Sequence, residues 1–382
     1  MVRVSADSLE VLRKRTSAKW RTFPEDVLPL PVAEMDFPIA KPIRGVLIDM
    51  IKRSDTGYSG IAPELPQAFA NYAKRNWDWT VNKDQFYLAT DVGVAGVEVL
   101  RLWTQPGDKV VINTPVYLNF VTWIKEAKCE VVDVPLTNLG DEWALNLAGL
   151  EDAFAAGAKA YILCHPHNPV GNVFTLDELE KIAELAKKYN VLVISDEIHA
   201  PLVFSEANFV PYLNVSDTAR ETGLCITSAS KAWNLAGLKC AQIVADNSAI
   251  NDRLLQLPIS SPWRSSLLGV WASIAAYNQG EPWLKAVLKN IDDNRHYLAK
   301  LLKKHLPKAK YTVPNSTYLA WIDLSAYGQE GVTQLLLDKG RVALSDGADF
   351  GGVGKDFVRF NLATSKEIIK EAVLRMASVL ED

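Results

Sequence analysis

Three short polar clusters, each following an apolar run, hold the side chains from which chemistry could be built. The first is Ser228-Ala229-Ser230-Lys231, with Asn234, Gly237 and Lys239 close behind. An aldehyde-bearing cofactor needs a lysine that can give up its proton, with hydroxyls and cations nearby to hold a phosphate. Taken alone, S-x-S-K also describes a solvated lysine in a polar loop. The second cluster is Ser195-Asp196-Glu197-Ile198-His199, with Asp196 thirty-five residues ahead of Lys231. An acid there could keep the nitrogen of a heteroaromatic ring protonated. The bland alternative is a helix cap or surface carboxylate, with Glu197 purely structural. The third is His165-Pro166-His167-Asn168-Pro169-Val170-Gly171. Two histidines two apart suggest zinc, but no further Cys/His/Asp set at ligand spacing accompanies them and H-P-H forces a stiff turn, so no metal is expected. Asn168-Pro169 and Gly171 instead present an amide suited to donating a hydrogen bond to a phenolate oxygen.

These clusters need a scaffold, and the sequence between about Tyr58 and Ala245 supplies one by alternating β-branched runs with amphipathic stretches. Strands are predicted over Gln85–Ala89, Lys109–Asn113, Glu130–Val134, Ala158–Cys164, Val191–Ser195, Leu224–Ser228 and Cys240–Ala245. Several are apolar on both alternate faces, as in a mainly parallel sheet covered by helices on both sides. The helix predicted over Leu176–Tyr189 opens with a T-x-x-E capping box, Thr175 and Glu178, and the strand after it runs into Asp196. In an open α/β sheet, ligands bind beyond the carboxyl ends of the strands, where all three clusters fall. Beyond about Ser248 the texture changes to a long helix over Pro282–Leu306, strands over Tyr318–Leu324 and Phe357–Leu362 and a last helix over Lys366–Leu380, a smaller α+β unit. Residues 1–50 are too few for a domain and are expected to pack on that unit, leaving a large domain over 51–260 and a small one over 261–382.

Composition limits the partners. The chain has 382 residues, 48% apolar and 23% charged, which is an ordinary folded balance with room for two or three domains at ~150 residues each. Its 41 basic and 45 acidic residues leave a net charge of −4, so there is no basic surplus to neutralise nucleic acid or an anionic membrane. No apolar run approaches the ~18 to 20 residues that span a bilayer, and the charge-interrupted start MVRVSADSLEVLRKR does not read as a cleaved leader. Cys129, Cys164, Cys225 and Cys240 form no CxxC pair and sit in strand-like stretches, so buried free thiols and a cytoplasmic location are expected.

N-P-x-G, D-E and S-x-S-K, in this order and each at a strand end, resemble the fold type I pyridoxal-phosphate enzymes, specifically the aminotransferase class I/II family. The resemblance covers essentially the whole chain and implies an α/β transferase-like large domain with pyridoxal 5′-phosphate (PLP) bound to it. By that similarity Lys231 is the Schiff-base lysine, Asp196 the partner of the pyridinium nitrogen and Asn168 the donor to the ring oxygen. Tyr117, in Thr114-Pro115-Val116-Tyr117, matches the aromatic that stacks on the ring. Asp91-Val92-Gly93-Val94-Ala95 matches the phosphate cup, in which Gly93 and Val94 offer free backbone N–H groups at a helix start. Ser228 and Lys239 complete the phosphate site, although many relatives carry arginine at the place of Lys239. Tyr58, in Gly57-Tyr58-Ser59-Gly60, resembles the tyrosine that reaches the phosphate of a neighbouring subunit, which implies a homodimer with shared sites. Arg359, in Phe357-Val358-Arg359-Phe360-Asn361, resembles the arginine that clamps a substrate α-carboxylate.

Within this family, Val32-Ala33-Glu34-Met35-Asp36-Phe37 and Asp196-Glu197-Ile198-His199 are similar to the MalY/PatB cystathionine β-lyase group, many aminotransferases having tyrosine where His199 stands. Ser345-Asp346-Gly347 and Phe350-Gly351 extend the likeness. The implied reaction is β-elimination from cystathionine or a related S-substituted cysteine, with Lys231 removing the Cα proton and pyruvate, ammonia and a thiol as products. The same lysine, aspartate and arginine would serve transamination, so an aminotransferase stays open on the residues alone. Relatives of the group also bind a transcription regulator, but the retained Lys231 and Asp196 speak against a pure binding protein.

Overall fold

The structure, a computed structural model, describes residues 3–140 and 142–381. Its centre is a seven-stranded sheet of β1 (Phe86–Ala89), β2 (Lys109–Ile112), β3 (Glu130–Asp133), β4 (Ala160–Cys164), β5 (Leu192–Asp196), β6 (Gly223–Thr227) and β7 (Ala241–Val244), in the order β1-β7-β6-β5-β4-β2-β3. Only β7 runs against its neighbours; the contiguous run from β6 to β3 is parallel. Successive side chains of a strand point to opposite faces. In β4, accordingly, Tyr161 and Leu163 enter one apolar core while Ala160, Ile162 and Cys164 enter the other. Each face is sealed by helices, which explains why these strands read as apolar throughout.

The helix Leu176–Tyr189 carries the predicted capping box at Thr175 and Glu178 and ends on Asn190 in the left-handed region. It lays Leu179, Ile182, Ala183 and Ala186 on the sheet. Beyond the sheet, β8 (Lys310–Tyr311), β9 (Leu319–Asp323), β10 (Ser345–Asp346) and β11 (Phe357–Asn361) form an antiparallel sheet in the order β8-β9-β11-β10, backed by helices Glu281–His305 and Lys366–Leu380.

Residues within 4–36 contact this smaller unit. Leu28–Pro29 pairs in parallel with Val342–Ala343, Asp36 N–H donates to Ala363, and Asn290 reaches the Val4 carbonyl. Helix Leu267–Gln279 lies elsewhere: it packs on helices Lys41–Lys52 and Glu64–Trp77, with Gly269 so close to the Leu238 carbonyl that a Cβ would sit 2.0 Å from it. Cys164, Cys225 and Cys240 are buried and free as expected, whereas Cys129 precedes an outer strand and is only half-buried.

Candidate functional site

The loops after β4, β5 and β6 converge with the segment 31–33 and with β10 and β11 on a cavity of about 550 Å³. Lys231, Asp196, Asn168, His199, Tyr117, Gly93, Ser228, Lys239 and Arg359 all line it. Residues that the sequence had spread over nearly 270 positions therefore share one wall, because parallel strands deliver their carboxyl ends to the same edge.

Lys231 follows β6, and its Nζ donates to the Ala33 carbonyl at 3.1 Å. Burial, then repulsion from Arg359, lowers its pKa to about 8, against a weaker pull from Glu34 and Asp196. A sizeable share of the amine is thus neutral and nucleophilic near physiological pH. Asp196 closes β5 with its carboxyl 4% exposed, and burial raises its pKa to about 7 even though Ile198 N–H donates to Oδ1 at 3.1 Å and Lys231 favours the charged form. A buried carboxylate with so little compensation gains from a cationic neighbour, which a protonated ring nitrogen would be. Glu197 points away, fixed by Ser195 and the Tyr212 N–H at 2.9 and 2.8 Å, which is the structural role allowed for it above.

Arg359 stands on β11 of the small sheet. Its guanidinium donates to Asn168 Oδ1 at 3.0 Å, to the Pro31 carbonyl at 2.8 Å and to Ser345 Oγ at 3.2 Å, and lies over the Phe350 ring. Burial lowers its pKa only to about 10, so it stays cationic at neutral pH. By taking the carbonyl end of the Asn168 amide, Arg359 leaves the NH2 end free to donate. Its own Nε carries no partner, and neither does Nδ1 of buried His199. Both residues line the cavity, so each carries an unpaired polar atom at the site. His199 is held neutral, with burial the chief cause and a pKa of about 3. Tyr117, which lines the cavity, makes T-shaped contacts with Phe120 and Trp123, and Asn119 donates to its hydroxyl.

The phosphate cup differs in detail from the sequence expectation. Asp91 caps helix Val92–Trp103 by accepting from Val94 N–H at 2.9 Å, so Val94 is not a free donor. The unengaged amides of the first turn are those of Val92 and Gly93. A Cβ on Gly93 would lie 3.2 Å from Trp123 Nε1, and one on Gly96 would lie 2.5 Å from the same ring, so these glycines let the indole lean on the helix start. Ser228 commits its hydroxyl proton to the Cys240 carbonyl at 2.6 Å and accepts from Ser230 N–H. Lys239 is ion-paired to Asp91 at 2.9 Å. Tyr58 does not reach the cavity of its own chain: it is 83% exposed and edges onto Trp263.

Trp123, Asn119 and Tyr318 are site residues that sequence reasoning missed. Tyr318 donates to the same Ala33 carbonyl that holds Lys231, at 2.9 Å. No local signal marks them, since an aromatic in an apolar helix or strand reads as core and an asparagine at a helix start reads as turn chemistry.

Residues 26–376 match the family described as aminotransferase class I and II. The chain belongs to that family. Among its members, the cystathionine β-lyase of Corynebacterium glutamicum is 36% identical, with 97% of this chain and 99% of that one covered. The cystathionine β-lyase PatB of Bacillus subtilis is 30% identical over 95% and 96% of the two chains. Among solved structures, cystalysin from Treponema denticola, described as containing a pyridoxal 5′-phosphate cofactor, superposes with a TM-score of 0.94 at 27% identity over 100% of both chains. The donor set suits such a group: an amine of lowered pKa for an aldehyde, a buried carboxylate for a ring nitrogen, a free amide NH2 for a ring oxygen, and two helix-start amides beside a lysine for a phosphate.

Proposed function

We propose that this protein is a PLP-dependent carbon–sulfur β-lyase that converts cystathionine or a related S-substituted cysteine, with water, to pyruvate, ammonia and a thiol. The observation that carries the proposal is the convergence of Lys231, Asp196 and Arg359 on one cavity, with the lysine pKa lowered to about 8. Bound PLP supplies an electron sink for the pair left at Cα when its proton is removed. Arg359 grips the substrate carboxylate with its fork of donors, which sets the Cα–H toward Lys231. Lys231 Nζ takes that proton, its lowered pKa making it a competent base near neutrality. Asp196 holds the ring nitrogen protonated, Asn168 donates to the ring oxygen, and Tyr117 covers one ring face. Val92, Gly93, Ser230 and Lys239 hold the phosphate.

Elimination is favoured over transamination by the V-A-E-M-D-F segment, whose Ala33 carbonyl sits on the Lys231 amine, and by full-length relatives named cystathionine β-lyase. We place the cofactor on a large domain running to the end of helix Leu267–Gln279, which packs on that side of the molecule, with the small domain beginning at helix Glu281–His305. The working unit is a homodimer in which Tyr58 serves the partner's phosphate, and its buried free thiols suit the cytoplasm.

Products decide the reaction. Given cystathionine and no keto acid, the purified protein releases pyruvate, ammonia and homocysteine over many turnovers. A single turnover that resumes only when a keto acid is added, with no thiol released, overturns the lyase assignment.

A further inference from the structure

The Asp91 carboxylate already holds the one ammonium of the phosphate cup, beside the free amides of Val92 and Gly93. One oxygen accepts from the Val94 N–H at the start of helix Val92–Trp103 and the other accepts from Lys239 Nζ, both at 2.9 Å. The two positive features of the cup, a helix start and an ammonium, are therefore bridged by a fixed anion belonging to the chain itself. Both partners line the cavity beside Gly93, Ser228 and Ser230. Lys239 adopts a left-handed backbone (φ 52°), a conformation disfavoured for a residue with a Cβ, and from it the side chain reaches across to Asp91.

We propose that Asp91 is an internal anion that competes with the cofactor's phosphate for Lys239 and so sets how tightly this protein holds PLP. The inference rests on the PLP reading above. A phosphate entering the cup meets a carboxylate close by and an ammonium whose charge is already matched. Both effects weaken binding of the phosphate and neither touches the pyridine ring. The ion pair is partly exposed, so it opens at small cost and retards loading without blocking it.

Asparagine caps a helix as well as aspartate does, so Asp91→Asn removes the charge and keeps the helix start. Asp91→Ser does the same with a different side chain. Cofactor-free protein dialysed against PLP or against pyridoxal, which lacks the phosphate, gives dissociation constants for the three chains. Both variants should bind PLP about five- to tenfold more tightly, the effect of one unit charge at a few ångströms under near-aqueous screening, and pyridoxal as before. Lys239→Gln should weaken PLP binding more in the Asp91→Asn chain than in the native one, because only there is the ammonium unmasked. Unchanged or weaker PLP binding in the variants, or an equal shift for PLP and pyridoxal, overturns the inference. If no chain develops the visible absorption band of lysine-bound PLP, the cofactor reading itself fails.

Discussion

At the scale of single residues, the site places a second cation, Arg359, where it disturbs the first, Lys231. Lys231 owes its lowered pKa first to burial and second to Arg359, so the residue proposed to grip the substrate would also ready the proposed base. With a pKa of about 8, roughly a tenth of the amine is neutral at pH 7, against less than one part in a thousand for a free lysine. The rate at which cofactor-free protein captures PLP should rise with pH and level off above about 8. Removing the guanidinium in Arg359→Gln takes away a repulsion that favoured the neutral amine, so the midpoint should move up while staying below the free-lysine value, because burial persists. Stopped-flow absorbance across a pH series reads this directly. A midpoint that stays in place or falls would show that burial alone sets the lysine. Asp196 has the opposite asymmetry: burial raises its pKa, so its carboxylate would gain from a positive partner such as a protonated ring nitrogen.

At the scale of elements, the segment 31–36 ties the two halves of the molecule together through its backbone. The Pro31 carbonyl accepts from Arg359 and Ser345, Val32 and Glu34 from Asn361, Ala33 from Lys231 and Tyr318, and Met35 from Asn234 and Arg15. Asp36 is locked by Lys19 and Trp20, an ion pair with both side chains fully buried. Asn361 is the central clamp, buried and donating at 2.8 and 2.7 Å. Asn361→Ala strands the Ala363 N–H, leaves the Glu34 carbonyl only Lys19 Nζ at 3.4 Å and leaves the Val32 carbonyl only the Glu34 N–H. At ~1 to 3 kcal/mol for a group left unpaired and ~0.5 to 1.5 kcal/mol for each other hydrogen bond lost, urea unfolding should show a loss of about 2 to 4 kcal/mol. A loss well under 1 kcal/mol would mean that the segment is held by other means. The strands were legible because apolar periodicity is a local property of a sequence, whereas Lys231, Asp196 and Asn168 stood out only as polar residues at strand ends and took their roles from the family resemblance. This segment was legible only as a motif. Its work is done by backbone carbonyls, which every residue has and no side-chain pattern advertises. The Lys239–Asp91 pair was hidden for a related reason: its partners are 148 residues apart, and each looks like a surface charge until the sheet brings them together.

At the scale of the whole molecule, the chain exposes apolar surface that an isolated protein would bury. Tyr58, Ile61 and Ile259 are 83%, 86% and 90% exposed, and Trp263 and Leu255 are open beside them. They are not scattered. Ser59 donates to the Pro262 carbonyl, joining the two segments that carry them, and a groove of about 640 Å³ runs between Gly60–Gln67 and Leu254–Pro262 over β1. A continuous patch of this kind marks an association surface, and in the homodimer proposed above a second copy of the chain would cover it. Sedimentation should therefore report a dimer, and Ile259→Asp together with Trp263→Asp should shift it toward monomer with loss of turnover. Complementation separates a shared site from mere association. If Tyr58→Phe and Lys231→Ala are each inactive alone, mixing the two chains should restore activity, since in a mixed dimer one site receives a native Tyr58 and keeps its own Lys231. A monomer with full turnover would contradict the arrangement. A dimer whose mixed chains stay inactive, although subunit exchange is shown, would place Tyr58 in the interface but outside the site.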